Sequence, residues 1–146
     1  MLNSLLEKSI KGAIFVLHIL MNDIPTQKKL LIIEDDPDIL DILKLIFQSE
    51  GYIVYTSLTG EETQHVVDMA PDLILLDLRL SAFGKEGAEI CQRLKSEQLT
   101  RQIPVILLSA ETDISIVCSV CGANDYMRKP FDVDRLTSKV KTMIRN

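Results

Sequence analysis

Three runs of four large apolar residues, Leu30–Ile33, Leu73–Leu76 and Val105–Leu108, each stop at a side chain that carries chemistry: Glu34, Asp77 and Ser109. Runs this short and this uniformly apolar suit strands buried on both faces, as in a parallel sheet covered by helices on each side. The stretches between them carry helical spacing. Asp36 can cap a helix and Pro37 fits its first turn, after which Ile39, Leu43, Ile46 and Phe47 recur up to Gly51. A second, less apolar strand is expected over Ile53–Ser57. Thr59-Gly-Glu-Glu62 then has the form of a capping box, opening a helix toward Met69 that Pro71 stops.

After Asp77 the chain runs through a loop containing Gly84 and Gly87 into a helix with Ile90, Cys91 and Leu94. Pro104 precedes the Val105–Leu108 run. A short helix carries Ile116, Val117 and Val120 and closes at Gly122, a natural residue just past a helix end. Asp125–Lys129 reads as a fifth, more polar strand ended by Pro130, and Asp132 caps a last helix carrying Leu136, Val140 and Met143. Strand and helix thus alternate five times, which implies right-handed crossovers and an α/β, doubly wound (βα)5 architecture. The polar second and fifth strands belong at the edges and the other three inside. A parallel five-stranded sheet of order 2-1-3-4-5 satisfies this, with its switch point between strands one and three.

In that order the carboxyl ends of the first, third, fourth and fifth strands are neighbours. They present Glu34 and Asp35, Asp77, Ser109 and Lys129. Three carboxylates at one rim repel each other unless a hard cation sits among them, and Mg²⁺ suits a few carboxylates plus water and phosphate oxygens. A hydroxyl and an ammonium opposite could grip a phosphoryl group, with Asp77 the carboxylate placed to attack. Taken singly, each of these residues has a plainer reading: a solvated acidic loop, an Asp that opens a turn, a Lys before a Pro.

The 146 residues, 47% hydrophobic and 25% charged, describe one globular domain. The net charge of −5 argues against direct nucleic-acid binding, which needs clustered Lys and Arg. Three cysteines and no convincing export signal point to free thiols in the cytoplasm. Cys118-Ser-Val-Cys121 falls at a helix end and not at the helix N-terminus a redox pair needs, and Cys91, His18 and His65 do not complete a zinc set, so these are expected to be core cysteines.

Residues 1–26 form an appendage distinct from the domain at 27–146. Ala13–Met21 is apolar apart from His18, too short to span a bilayer, and followed by Asn22-Asp23-Ile24-Pro25 in place of a cleavage site. It reads as a helix packing on the domain or a partner, as a weak membrane-surface anchor, or as an upstream extension with Met21 as the natural start. A membrane partner is not expected.

Ile-Ile-Glu34-Asp35-Asp36-Pro37, Leu-Leu-Asp77-Leu-Arg79-Leu, Leu-Leu-Ser109-Ala110 and Tyr126-Met-Arg-Lys129-Pro130-Phe131 together resemble the receiver domains of bacterial two-component response regulators. The resemblance runs from about Lys29 onward and implies a flavodoxin-like fold. It implies that Asp77 accepts a phosphoryl group from a phosphohistidine on a sensor histidine kinase or phosphotransfer protein. Asp35, Asp77 and the backbone carbonyl of Arg79 would ligate Mg²⁺, with Glu34 acting mainly through water. Ser109 and Lys129 would contact the phosphoryl oxygens, Tyr126 would be the switch residue, and Lys129–Pro130 would be a cis peptide. Ser81 stands where the family usually has Pro, and the loop to Gly87 is about two residues longer than usual.

No second core follows the fifth helix. A stand-alone receiver is therefore expected, a signalling protein and not an enzyme, acting on a downstream protein through its fourth helix, fifth strand and fifth helix. Two alternatives compete. A haloacid-dehalogenase-like phosphatase wants a second Asp two residues after the nucleophile, where this chain has Arg79. A receiver-like scaffold that is never phosphorylated commonly lacks the Asp or the Lys.

Overall fold

A computed structural model of the protein describes residues 1–22, 26–61, 65–80 and 85–145. The elements run α1 (Leu2–Asn22), β1 (Lys29–Ile33), α2 (Pro37–Ser49), β2 (Ile53–Ser57), α3 (Val66–Met69), β3 (Leu73–Asp77), β4 (Arg79–Leu80), β5 (Lys85–Glu86), α4 (Gly87–Ser96), β6 (Val105–Ser109), α5 (Ile114–Cys121), β7 (Asp125–Arg128) and α6 (Val133–Arg145). The main sheet has the order β2-β1-β3-β6-β7 with every pair parallel. This is the doubly wound arrangement read from the apolar runs, with the two more polar strands at the edges.

The period of two along each inner strand divides the core between the faces of the sheet. Leu31 and Ile33 pack with Ile74, Leu76 and Leu107 against α4 and α5. Leu30 and Ile32 pack with Leu73, Leu75 and Ile106 against Leu40, Leu43 and Phe47 of α2 and Leu136 and Val140 of α6. The Asp36 carboxylate accepts from the Asp38 and Ile39 N–H groups, capping α2 as its sequence suggests.

Two local readings change. On α5 the buried side chains are Ile114, Cys118 and Cys121, with Val117 partly buried, whereas Ile116 and Val120 are exposed. Two apolar stripes share this short helix, and the one continuous with α4 is the one buried. The Thr59 hydroxyl accepts from the Glu61 N–H. Glu62, the other half of the expected box, lies outside the described residues, as do Asp23–Pro25. The stretch after Asp77 contains a short antiparallel ladder, Arg79 with Glu86 and Leu80 with Lys85, that the sequence did not announce. Ser81 and Gly84 are also outside the described residues.

The three cysteines are free and buried, and burial, with Cys121 beside it, pushes the Cys91 thiol up to about 12. They are core residues. Every residue from Met1 to Met21 is exposed. Among the described residues no helix is long and apolar enough to cross a membrane.

Candidate functional site

Parallel strands carry their carboxyl ends to one rim, and the register decides which side chains meet there. Ile33 pairs with Leu76 and Asp77 pairs with Leu108, so Glu34, Asp77 and Ser109 leave the sheet at nearly one level. Backbone bonds fix the rim: Glu34 N–H donates to Ser57 O at 3.1 Å, Leu78 N–H to Leu108 O at 2.9 Å and Lys129 N–H to Ser109 O at 2.8 Å.

Carboxylate oxygens of Glu34, Asp35 and Asp77 all lie within 4.8 Å of one another. Glu34 is 1% exposed and Asp77 6%, so two of these charges are held away from water. Lys129 answers them: its Nζ donates to Glu34 Oε2 at 2.7 Å and stands 3.4 Å from Asp77 Oδ1. The other Glu34 oxygen accepts from the Asp36 N–H at 3.2 Å. Burial and then the neighbouring Glu34 charge raise the Asp77 carboxyl to about 6, against the opposing pull of Lys129. Burial works against the Lys129 ammonium too, yet its bonds to Glu34 and Asp77 outweigh that and hold it above the usual lysine value.

One ammonium among three clustered carboxylates leaves an excess of negative charge on hard oxygen donors. That donor set fits Mg²⁺, which takes a few carboxylates and completes its shell with water. Glu34 already accepts a bond on each oxygen, which leaves Asp35 and Asp77 as the better-placed direct donors.

The remaining sequence-derived candidates fall around this cluster. Ser109 is 3% exposed and its Oγ accepts from the Glu111 N–H at 3.1 Å. Tyr126 is half-buried on β7, paired in register with Leu107 two residues before Ser109. The Lys129–Pro130 peptide is cis. The Arg79 N–H points at Asp77 Oδ1 at a long 3.5 Å.

Two features at the rim were not read from the sequence. The Arg79 guanidinium, whose side chain had been given no role, pairs with Glu111 two residues beyond Ser109. Gly87, noted only as a loop glycine, packs its Cα against the site: a Cβ there would stand 2.2 Å from the Asp77 carbonyl oxygen and 2.9 Å from Leu78 Cα. Its N–H donates to Leu78 O at 2.7 Å. A glycine at a close backbone approach is a recognisable signal, but which of several loop glycines it is depends on the fold.

Comparison with known proteins gives a consistent picture. The family model described as the response regulator receiver domain matches residues 30–141. The chain is 38% identical over 120 residues to the DNA-binding dual master transcriptional regulator RpaA of Synechocystis sp., covering 80% of this chain and 49% of that protein. It is 38% identical over 124 residues to the phosphate regulon transcriptional regulatory protein PhoB of Pseudomonas aeruginosa, covering 81% and 52%. The chain therefore spans about half the length of the curated relatives it matches. Among solved structures, a CheY-like response regulator receiver domain protein from Methanospirillum hungatei superimposes with a TM-score of 0.73 at 28% identity, covering 82% of this chain and 95% of that one.

Proposed function

The chain belongs to the response regulator receiver domain family, and on that premise we propose that Asp77 is its phosphoacceptor and that phosphorylation there switches the binding of a partner protein. The observation that carries the reading is the Glu34, Asp35 and Asp77 cluster with Lys129 across it. Charge separation of this kind has little structural use and suits a group that is itself highly charged.

In the proposed step an Asp77 carboxylate oxygen attacks the phosphorus of a phosphohistidine on a sensor kinase or phosphotransfer protein. The O–P bond forms as the P–N bond breaks, and the imidazole leaves with the bonding electron pair. Mg²⁺, held by Asp35, Asp77 and the Arg79 carbonyl, would supply positive charge to the phosphoryl oxygens. Lys129 contributes a second cation from the opposite side and exchanges part of its pairing with Glu34 for the phosphoryl group. Ser109 offers its hydroxyl to another phosphoryl oxygen. Ser109 moving inward leaves room for Tyr126, a two-state element biased by a local charge change. Partners are then read out at α5, β7 and α6, where Ile116 and Val120 stand exposed.

A haloacid-dehalogenase-like reading lacks its second acid, since Arg79 holds that position and pairs outward with Glu111. Phosphate-affinity electrophoresis after incubation with acetyl phosphate, with and without Mg²⁺, tests the proposal. A retarded band that requires Mg²⁺ supports it, and no retardation under any condition refutes it.

A further inference from the structure

Among the apolar surfaces that the described residues leave without cover, two match. The first is α1, where Leu5 is 68% exposed, Ile14 60% and Leu17 57%. The second is a groove of about 490 Å³ between α2 and the start of α6, lined by Ile39, Ile42, Ile46, Phe131 and Val133, with Lys129 at its rim. Ile42 is 57% exposed and Val133 41%.

We propose that α1 is a strap that folds back along the seam between α2 and α6 and covers this groove in its own chain. The point of entry favours it. Gln27 Nε2 donates to Gly51 O at 3.2 Å, and Thr26–Lys28 share a hollow with Gly51, Lys141 and Ile144. The chain thus joins the domain between the C-terminal ends of α2 and α6, at the foot of the same seam. Only four Cα steps, at most about 14 Å, separate Asn22 from Thr26. From there α1 would run antiparallel to β1, as helices in a parallel sheet's crossovers do.

Lengths and charges agree with that placement. α1 is about 31 Å long and α2 about 20 Å, so the apolar Ala13–Met21 segment comes level with Ile39–Ile46. Lys11 then comes level with the exposed Asp38 near the start of α2, and Lys8 lies beyond that helix. A tether this short gives an effective concentration in the millimolar range, which favours the chain's own groove over that of a second copy. A lipid surface is the poorer occupant, because α1 carries two lysines against a net charge of −5 for the chain. A docked α1 stands beside Lys129, on the side from which a protein phosphodonor would approach. That consequence rests on the phosphoacceptor reading; the docking itself does not.

Hydrogen exchange on the full chain tests the strap, comparing wild type with Ile42→Glu and Leu17→Glu at low and high micromolar concentration. Ile42 lies exposed on α2, so the first variant keeps the core, and a single cooperative melting transition confirms that the domain still folds. Amides of Ala13–Met21 are expected to exchange at least tenfold more slowly in wild type than in either variant, equally at both concentrations. No protection in wild type, or protection that Ile42→Glu leaves intact, overturns the proposal. Protection that rises with protein concentration, or arises only with added phosphatidylglycerol vesicles, also overturns it, assigning α1 to a second copy or to lipid.

Discussion

Lys129 Nζ lies 2.7 Å from Glu34 Oε2, joining the ends of β7 and β1 across 95 positions of sequence. Glu34 is almost wholly buried, and Lys129 is its charge partner. Replacing Lys129 with Met should therefore leave two buried carboxylates uncompensated. The expected loss is about 2–3 kcal/mol, below the 3–5 typical of fully buried pairs because the Lys129 side chain is 21% exposed. Denaturant unfolding in EDTA measures it, and added Mg²⁺ should recover part of the loss. An unchanged midpoint would show that the pair carries no such weight.

The raised Asp77 carboxyl gives a pH dependence of definite sign. Between about pH 4 and pH 6 the folded protein binds more protons at Asp77 than the unfolded chain does, so stability falls as pH rises through that window. Above it the cost is fully present. Asp77→Asn removes the titrating charge, so the variant should melt close to wild type near pH 4 and above it beyond pH 6, both without metal. A gap that does not vary with pH would contradict this. Mg²⁺ at ten times its Kd should stabilise the wild type by about 1.4 kcal/mol, and the variant much less.

Gly87 admits no side chain, because the atoms in the way are backbone: Asp77 O at 2.2 Å and Leu78 Cα at 2.9 Å. Gly87→Ala must displace the segment that follows Asp77. Overpacking of this kind costs about 1–3 kcal/mol, and the Mg²⁺ titration midpoint should weaken with it. A stability loss with an unchanged Mg²⁺ midpoint would mean that Gly87 supports the fold and not the carboxylate geometry.

Much of this was legible because the inner strands are so uniform. Leu30–Ile33, Leu73–Leu76 and Val105–Leu108 admit burial on both faces and little else, and their order places Glu34, Asp77 and Ser109 at one rim, with Lys129 reaching it from the more polar edge strand. What stayed hidden depends on distances between segments. The pattern of α5 supports either of two stripes, and packing against α4 buries Ile114, Cys118 and Cys121 in place of Ile116 and Val120. The sequence suggests that Lys129 faces a phosphoryl group, but not that its ammonium rests on Glu34. Neither the Arg79–Glu111 pair nor the approach of Gly87 to Asp77 leaves a periodic signal.

The most direct measurement is intact-protein and peptide mass spectrometry of wild type and Asp77→Asn after incubation with acetyl phosphate and Mg²⁺. Wild type is expected to gain a single phosphate, mapped to the peptide containing Asp77 and absent when EDTA replaces Mg²⁺, while Asp77→Asn gains none. Phosphate acquired by Asp77→Asn at the wild-type rate, or mapped to another residue, would contradict the assignment of Asp77 as the acceptor.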